Sequence, residues 1–270
     1  MKIYLHGSSG RMGQAVQRAA EQEDITVLGS ERSFEALKAA IGQCDLVIDF
    51  SSHEATAPLI GLAAELGKAA VIGTTGHNES ERSAILSYQE RIPLVWAGNF
   101  SLGVNLLFYL AEKVARTLPL NYHPEILEMH HRMKKDAPSG TAENLVEAVL
   151  RGRSWSADTV RHGRSGITGE RPDEEIGVHA LRGGEVVGEH QLIFAGPGER
   201  LELKHQASDR RIFAEGSLVA ARWVIDQAPG LYNMQDVLGL GIGNRRRAAL
   251  VAEEIGYLGR VLDQMPGFVC

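Results

Sequence analysis

The sequence predicts an α/β fold, a doubly wound parallel sheet joined to a second α+β domain with a mixed or antiparallel sheet. Three observations predict it. Over the first hundred residues short apolar runs alternate with longer amphipathic ones; a glycine-rich segment opens the first helix; and after residue 150 strand-like runs are joined by Gly183-Gly184 and Gly196-Pro197-Gly198. Strand and helix in alternation mean parallel strands with crossover helices, whereas strands separated by glycine turns mean hairpins.

Taken in order, strands are expected near 2–6, 25–29, 44–50, 69–73 and 92–97, with helices near 10–22, 33–41, 53–66 and 78–90. A helix-like stretch over 101–115 leads to a strand at 122–130. Pro138 then ends what precedes it, and Ser139-Gly140-Thr141 open an amphipathic helix that runs to 150. A Gly/Ser/Arg-rich connection over 151–175 precedes strands at 176–182, 185–195 and 199–206. The stretch 211–227 is helical again and fits as a return to the first domain, and 245–263 has the pattern of a further helix. The expected division is therefore 1–100 with 211–270 as one domain and 101–210 as a second, different one.

Composition narrows the function. The chain has 270 residues, 44% hydrophobic and 23% charged, enough for a substantial core. A net charge of −6 leaves no basic field for nucleic acid, and the one basic cluster, Arg245-Arg246-Arg247, reads as a solvated helix face. No apolar run reaches the roughly 18 residues of a membrane helix, and the N-terminus enters a strand pattern directly, so a cytoplasmic protein is expected. Cys44 and Cys270 are far apart and form no CxxC pair, which argues against a disulfide framework and against a metal site.

Gly7-Ser8-Ser9-Gly10-Arg11-Met12-Gly13 lies between the first strand and the first helix. Glycines there permit a tight turn and let backbone amides approach a pyrophosphate at the helix N-terminus, which makes the first domain Rossmann-like. At the end of the second strand Glu31 is placed for an adenosine ribose and Arg32 for a 2′-phosphate, so NADH or NADPH is the expected cofactor. Gly73-Thr74-Thr75-Gly76 and Ala97-Gly98-Asn99-Phe100 fall at the ends of later strands on the same sheet edge and are expected to line the nicotinamide. As isolated strings they would be polar strand-to-helix turns.

The densest segment is Glu128-Met-His-His-Arg-Met-Lys-Lys-Asp-Ala-Pro-Ser-Gly-Thr-Ala142. A helix start rich in free amides favours an anion, Lys134 would face a carboxylate or phosphate held there, and His130 or His131 suits proton donation near neutral pH. Isolated histidines would read as structural; this pair directly precedes two lysines and a glycine-led helix start. Neighbouring strand residues point to opposite faces, so the two histidines do not share one task while the strand continues.

This segment resembles the signature of the dihydrodipicolinate reductases. The likeness extends through 7–13, Gly73-Thr74-Thr75, Ala97-Gly98-Asn99-Phe100, Gly169-Glu170-Arg171, Arg182-Gly183-Gly184, Val187-Gly188-Glu189-His190 and 205–210, so it covers roughly residues 1–240. The resemblance implies an NAD(P)H-dependent enzyme of diaminopimelate and lysine biosynthesis, usually a homotetramer built through the sheet of the second domain. It further implies His130 as general acid, Lys134 as second proton donor and carboxylate partner, and His131 as a contact of a small cyclic dicarboxylate substrate. Gly140 and Thr141 match the residues whose amides hold a substrate carboxylate. Residues 7–13, Glu31, Arg32, 73–75 and 97–100 match the cofactor contacts, and the reaction implied delivers hydride to ring C4 with loss of water. A semialdehyde dehydrogenase would need a cysteine in the cleft. A non-catalytic NAD(P)H-binding redox sensor is the alternative from another class, and it leaves the His-His-Lys-Ser-Gly-Thr cluster without a use.

Overall fold

The fold, taken from a computed structural model, is described for residues 1–29 and 33–240. Glu31, Arg32, the helix expected at 245–263 and Cys270 lie outside the described residues. The first part of the chain runs β1 (Lys2–His6), α1 (Arg11–Ala20), β2 (Thr26–Leu28), α2 (Phe34–Gly42), β3 (Leu46–Asp49), α3 (His53–Glu65), β4 (Ala69–Ile72), α4 (Glu79–Leu86) and β5 (Pro93–Trp96). It continues with α5 (Leu102–Thr117), β6 (His123–His130), α6 (Gly140–Arg153), β7 (Val160–His162), β8 (Ile176–Arg182), β9 (Gly188–Ala195), β10 (Arg200–Ala207), α7 (Arg211–Val224), β11 (Gly230–Tyr232) and α8 (Met234–Val237).

Strands β1–β5 and β11 form one parallel sheet in the order β2-β1-β3-β4-β5-β11. Its central strands are apolar on both faces because both faces are covered. Ile3, Leu5, Ile48 and Val71 pack with Val16 of α1 and Leu218 and Val224 of α7. The intervening Tyr4, Val47 and Ala70 pack on the opposite side with Ile41, Leu59, Ile60 and Ile85 of α2, α3 and α4. Since β1 pairs with β2 on one side and β3 on the other, successive crossovers leave in opposite directions there, opening a crevice at the carboxyl ends of β1 and β3.

The second sheet is mixed, in the order β10-β9-β6-β8-β7. β6 runs parallel to β8 and antiparallel to β9. One face is covered by α5 and α6, where Val104, Phe108, Leu145 and Val149 meet Ile126, Val178, Leu192 and Phe194. Along β6 every second residue is buried, so Pro124, Ile126, Glu128 and His130 share the covered face. After β10 the chain packs α7 back on the first sheet, Gly216 allowing a close approach: an added Cβ would fall 1.8 Å from the Phe100 carbonyl oxygen.

The expected strand and helix order of the first hundred residues matches the fold. Within the 151–175 stretch, expected as a connection, the fold adds the edge strand β7, and after α7 it adds β11 and α8. β7 and β11 are three residues long, too short to carry a period, and they exist because a neighbour offers a free ladder. The strand expected from 185 begins at Gly188, because Gly183-Gly184 and the following residues complete the turn from β8.

The 163–175 segment is tied to β6 through Glu125. Its carboxylate accepts from Arg164 Nη2 at 2.8 Å, Arg171 Nε at 2.9 Å and His179 Nε2 at 3.0 Å. Burial by itself would raise this carboxyl, but the three donors outweigh it and bring it down to about 2. A carboxyl lowered in the folded state stabilises above its ordinary value of 4.5 and loses that contribution as pH falls toward 2. Glu125→Gln is therefore expected to lower stability at neutral pH by roughly 2 kcal/mol. Urea unfolding of both proteins should show the gap closing below pH 4.5; a gap of constant size from neutral pH to pH 3 would refute the assignment.

Candidate active site

The glycine loop is shaped by contacts that exclude side chains. Gly7 has φ +82°, and an added Cβ would meet the Phe50 carbonyl oxygen at 2.3 Å. A Cβ on Gly13 would fall 2.2 Å from the Gly7 oxygen, and the Gly10 amide closes the turn onto the same oxygen at 3.0 Å. Helix α1 begins after Gly10 with no side-chain cap, so its first amides remain available to a ligand. Ser9, Gly10 and Arg11 are exposed, whereas Ser8 and Gly13 are buried and Met12 leans on the core. This uncapped cradle at the β1/β3 crevice fits a dinucleotide pyrophosphate.

Further along the sheet edge, Thr74 Oγ1 accepts from the Ser51 amide at 3.0 Å, and the Phe50 ring fills the space beside Gly73. Thr75, Ala97 and Gly98 line a cleft of about 460 Å³ together with His77, Trp96 and, from α6, Asn144. Asn99 donates to Thr141 Oγ1 at 3.2 Å and accepts from the Ser101 amide at 2.9 Å, joining the first sheet's edge to the start of α6. The Phe100 ring is buried in the core against Phe50, at 5.7 Å between ring centres.

His130 ends β6 on its covered face. Its Nδ1 lies 2.6 Å from Glu128 Oε2. Arg182 of β8 meets both Glu128 oxygens at 2.8 Å, and the Ser139 amide donates to Oε1 at 3.1 Å. The His130 ring stands edge-on to His190 of β9, 5.1 Å between centres, while Ser139 Oγ caps α6 at the Ala142 amide and meets His190 Nε2 at 3.1 Å. Burial lowers His130, and Glu128 partly counters it. Burial also holds His190 at about 4, with the neighbouring His130 adding to it, so His190 is neutral at physiological pH.

Lys134 follows in the loop, its Nζ held by Asp136 at 2.8 and 2.9 Å. Asp136 is turned toward this cluster by its carbonyl, which accepts from Arg182 Nη2 at 2.6 Å. Gly140 and Thr141 are the first residues of α6, and nothing lies within 4 Å of the position a Gly140 Cβ would occupy. His131 has left the strand: its amide donates to the Val186 carbonyl, and its side chain lines a cleft of about 540 Å³ with Arg132, Val187, Asp209 and Arg210. The fold thus gathers His130, Lys134, Gly140 and Thr141 around one helix start and sends His131 to an adjoining surface. Glu128, Ser139, Arg182 and His190 enter the cluster without having been singled out as site residues in the sequence. Strand alternation was the available signal for Glu128; Arg182 and His190 arrive through strand pairing.

Comparison with known proteins follows the same outline. The family model described as dihydrodipicolinate reductase, N-terminus, matches residues 1–100, and that described as dihydrodipicolinate reductase, C-terminus, matches residues 103–238. A protein of Akkermansia muciniphila named 4-hydroxy-tetrahydrodipicolinate reductase is 50% identical over 244 residues, covering 89% of this chain and 98% of the relative. One of Rhodopseudomonas palustris with the same name is 43% identical over 266 residues, covering 89% and 98%. Among solved structures, a dipicolinate-bound dihydrodipicolinate reductase from Paenisporosarcina sp. TG-14 shares the fold with TM-score 0.71 at 23% identity, over 86% of this chain and 97% of that one. A probable dehydrogenase from Thermotoga maritima shares it with TM-score 0.57 at 11% identity, over 89% and 94%.

The glycine loop makes a direct prediction. Gly13→Ala is expected to weaken binding of a nicotinamide dinucleotide by about tenfold or more, close to 1.4 kcal/mol, in a fluorescence titration of protein whose circular dichroism is unchanged. Unaltered affinity would remove the loop from the cofactor site.

Proposed function

The chain belongs to the dihydrodipicolinate reductase family and is an NAD(P)H-dependent oxidoreductase reducing 4-hydroxy-tetrahydrodipicolinate in diaminopimelate and lysine biosynthesis; from that premise we propose that His130 and Lys134 are its proton donors. The observation that carries this reading is the clustering of His130, Lys134 and the open helix start at Gly140 and Thr141 beside the edge of the cofactor sheet, across the Asn99–Thr141 hydrogen bond.

In this reading residues 7–13 hold the pyrophosphate, and 73–75 with 97–99 flank the nicotinamide, while Phe100, expected there too, turns its ring into the core. The nicotinamide would supply the hydride for ring C4, once the C4 hydroxyl has left as water together with a proton of the ring. The amides of Gly140 and Thr141 take one substrate carboxylate, a task a helix N-terminus performs with no side chain. Lys134 exchanges Asp136 for the substrate, trading an exposed carboxylate for one held in the site. His130 turns Nε2 toward the ring, since Nδ1 is occupied by Glu128, and quenches the electron density left by reduction. His131 meets the substrate from the adjoining surface. Glu31 and Arg32 allow either NADH or NADPH.

The same reading assigns cofactor binding to 1–100 with 211–270 and substrate binding and oligomerisation to 101–210. It has the chain working in the cytoplasm as a homotetramer built through the uncovered face of the second sheet, where Leu181 is exposed. No described helix is long and apolar enough to cross a membrane, and no described group of His, Cys, Asp or Glu is arranged to hold a metal ion.

His130→Gln and Lys134→Ala are each expected to lower kcat by about 10²-fold or more while leaving cofactor affinity within about twofold. The assay follows loss of NADH and, separately, NADPH, with the cyclic substrate formed in place from pyruvate and aspartate semialdehyde. Full turnover by either variant would remove that residue's assigned role.

A further inference from the structure

We infer that Glu128 is a positioning residue of this reduction: its buried carboxylate holds the Nδ1–H of His130, so that the proton handed to the substrate is the one on Nε2. The inference rests on the reading of His130 as proton donor.

Glu128 occupies a row of β6 that is otherwise built from core positions, and its side chain is fully buried. A carboxylate there is costly unless compensated. Each of its oxygens has two donors: Oε1 receives Arg182 Nη2 and the Ser139 amide, and Oε2 receives Arg182 Nη1 and His130 Nδ1. An ionised carboxylate only accepts, so the hydrogen between it and His130 belongs to Nδ1 in both charge states of the ring. Nε2 is then the nitrogen whose proton comes and goes. It lies beside Gly188, 3.1 Å from where a Cβ would stand, so the absence of a side chain at that position leaves it room.

The charged and titratable groups around His130 come from every neighbouring element. Glu128 stands on β6 itself, Arg182 on β8, His190 on β9, with His205 of β10 behind it, and Lys134 with its partner Asp136 in the loop after β6. Burial, Arg182 and Lys134 all disfavour the imidazolium, and Glu128 is the group in contact that favours it. Glu128 is itself kept ionised: burial would raise it, yet Arg182 and His130 together hold it below its ordinary value. His190 closes the other side of the ring as a neutral wall. The carboxylate therefore has two effects, on which nitrogen carries the exchangeable proton and on the pH at which that proton is present.

A role confined to packing would move neither, and this separates the two. In the pH profile of kcat, turnover falls above the pKa of the proton donor in the Michaelis complex. Glu128→Gln should move that upper limb to lower pH by about one unit and lower kcat by about 100-fold. Glu128→Asp, which keeps the charge on a shorter arm, should return the limb to within about 0.3 units of the parent while turnover stays reduced. Nitrogen chemical shifts of labelled histidine in the unaltered protein should show His130 as the Nδ1–H tautomer, a readout that needs no variant to fold. A limb unmoved in Glu128→Gln, at whatever turnover, or an Nε2–H tautomer in the parent protein would overturn the inference. His130→Gln, measured in parallel, tests the underlying reading by itself: if it keeps full turnover that reading falls, whereas its loss together with an unmoved Glu128→Gln limb removes Glu128 alone.

Discussion

The register of β6 against its two neighbours is the constraint on which this site depends. A strand has a period of two, so a slip of one residue would bring Leu127 and Met129 to the helix-covered face and turn Glu128 and His130 outward. In the observed register Glu128 lies opposite His190 on β9, and His130 lies opposite Arg182 on β8. One alignment therefore delivers an acid, two imidazoles and a guanidinium to the same few ångströms. Ile126, locked among Phe108, Leu145 and Leu192, supplies the apolar burial that keeps the strand from sliding.

From that strand the consequences run toward the cofactor sheet. The loop leaving β6 carries Lys134 and Asp136 and ends at Ser139, whose amide is taken by Glu128 and whose hydroxyl caps α6. The same carboxylate that pairs with His130 thus fixes where α6 begins, and with it the open amides at Gly140 and Thr141. One turn of helix further, Asn144 reaches the cleft beside Thr75 and Ala97, while Thr141 takes the hydrogen bond from Asn99. Asn105 steadies that junction by donating to the carbonyl oxygens of Asn99 and Ser101 at 2.9 and 2.8 Å. In the proposed reading a reducing cofactor and a proton donor stand on either side of one substrate, which needs such a rigid seam, since misplacement by an ångström is costly to the reaction.

The electrostatics of the cluster follow from the same geometry. His130, Lys134, Arg182 and a helix N-terminus converge, an arrangement that would repel itself without counter-charge. Glu128 neutralises the buried part, and the exposed Asp136 neutralises Lys134 in a pair that water can compete with. On the proposed reading of Lys134, a dicarboxylate substrate exchanges with this surface carboxylate while the buried one stays in place.

Much of this was legible in the sequence, and the limits have a physical origin. The strand and helix order of the first hundred residues could be read because central strands buried on both faces become continuous apolar runs, and because amphipathic helices separate them. The glycine loop could be read because a tight turn against Phe50 tolerates no side chain, and the His130–Lys134–Gly140–Thr141 segment because its residues are neighbours in the chain. Glu128 was readable in principle from strand alternation, as it stands two residues before His130. Arg182 and His190 fell within the family likeness but carried no readable site role, since they lie more than fifty residues along the chain and reach the site through strand pairing. β7 and β11 were hidden for a related reason: three residues hold no hydrophobic period, and only a neighbour's unpaired edge makes them strands. What the sequence determined by itself is therefore local, set by residue type and spacing, while the tertiary structure decided which distant groups share a face, because register is a property of paired strands and not of any one of them.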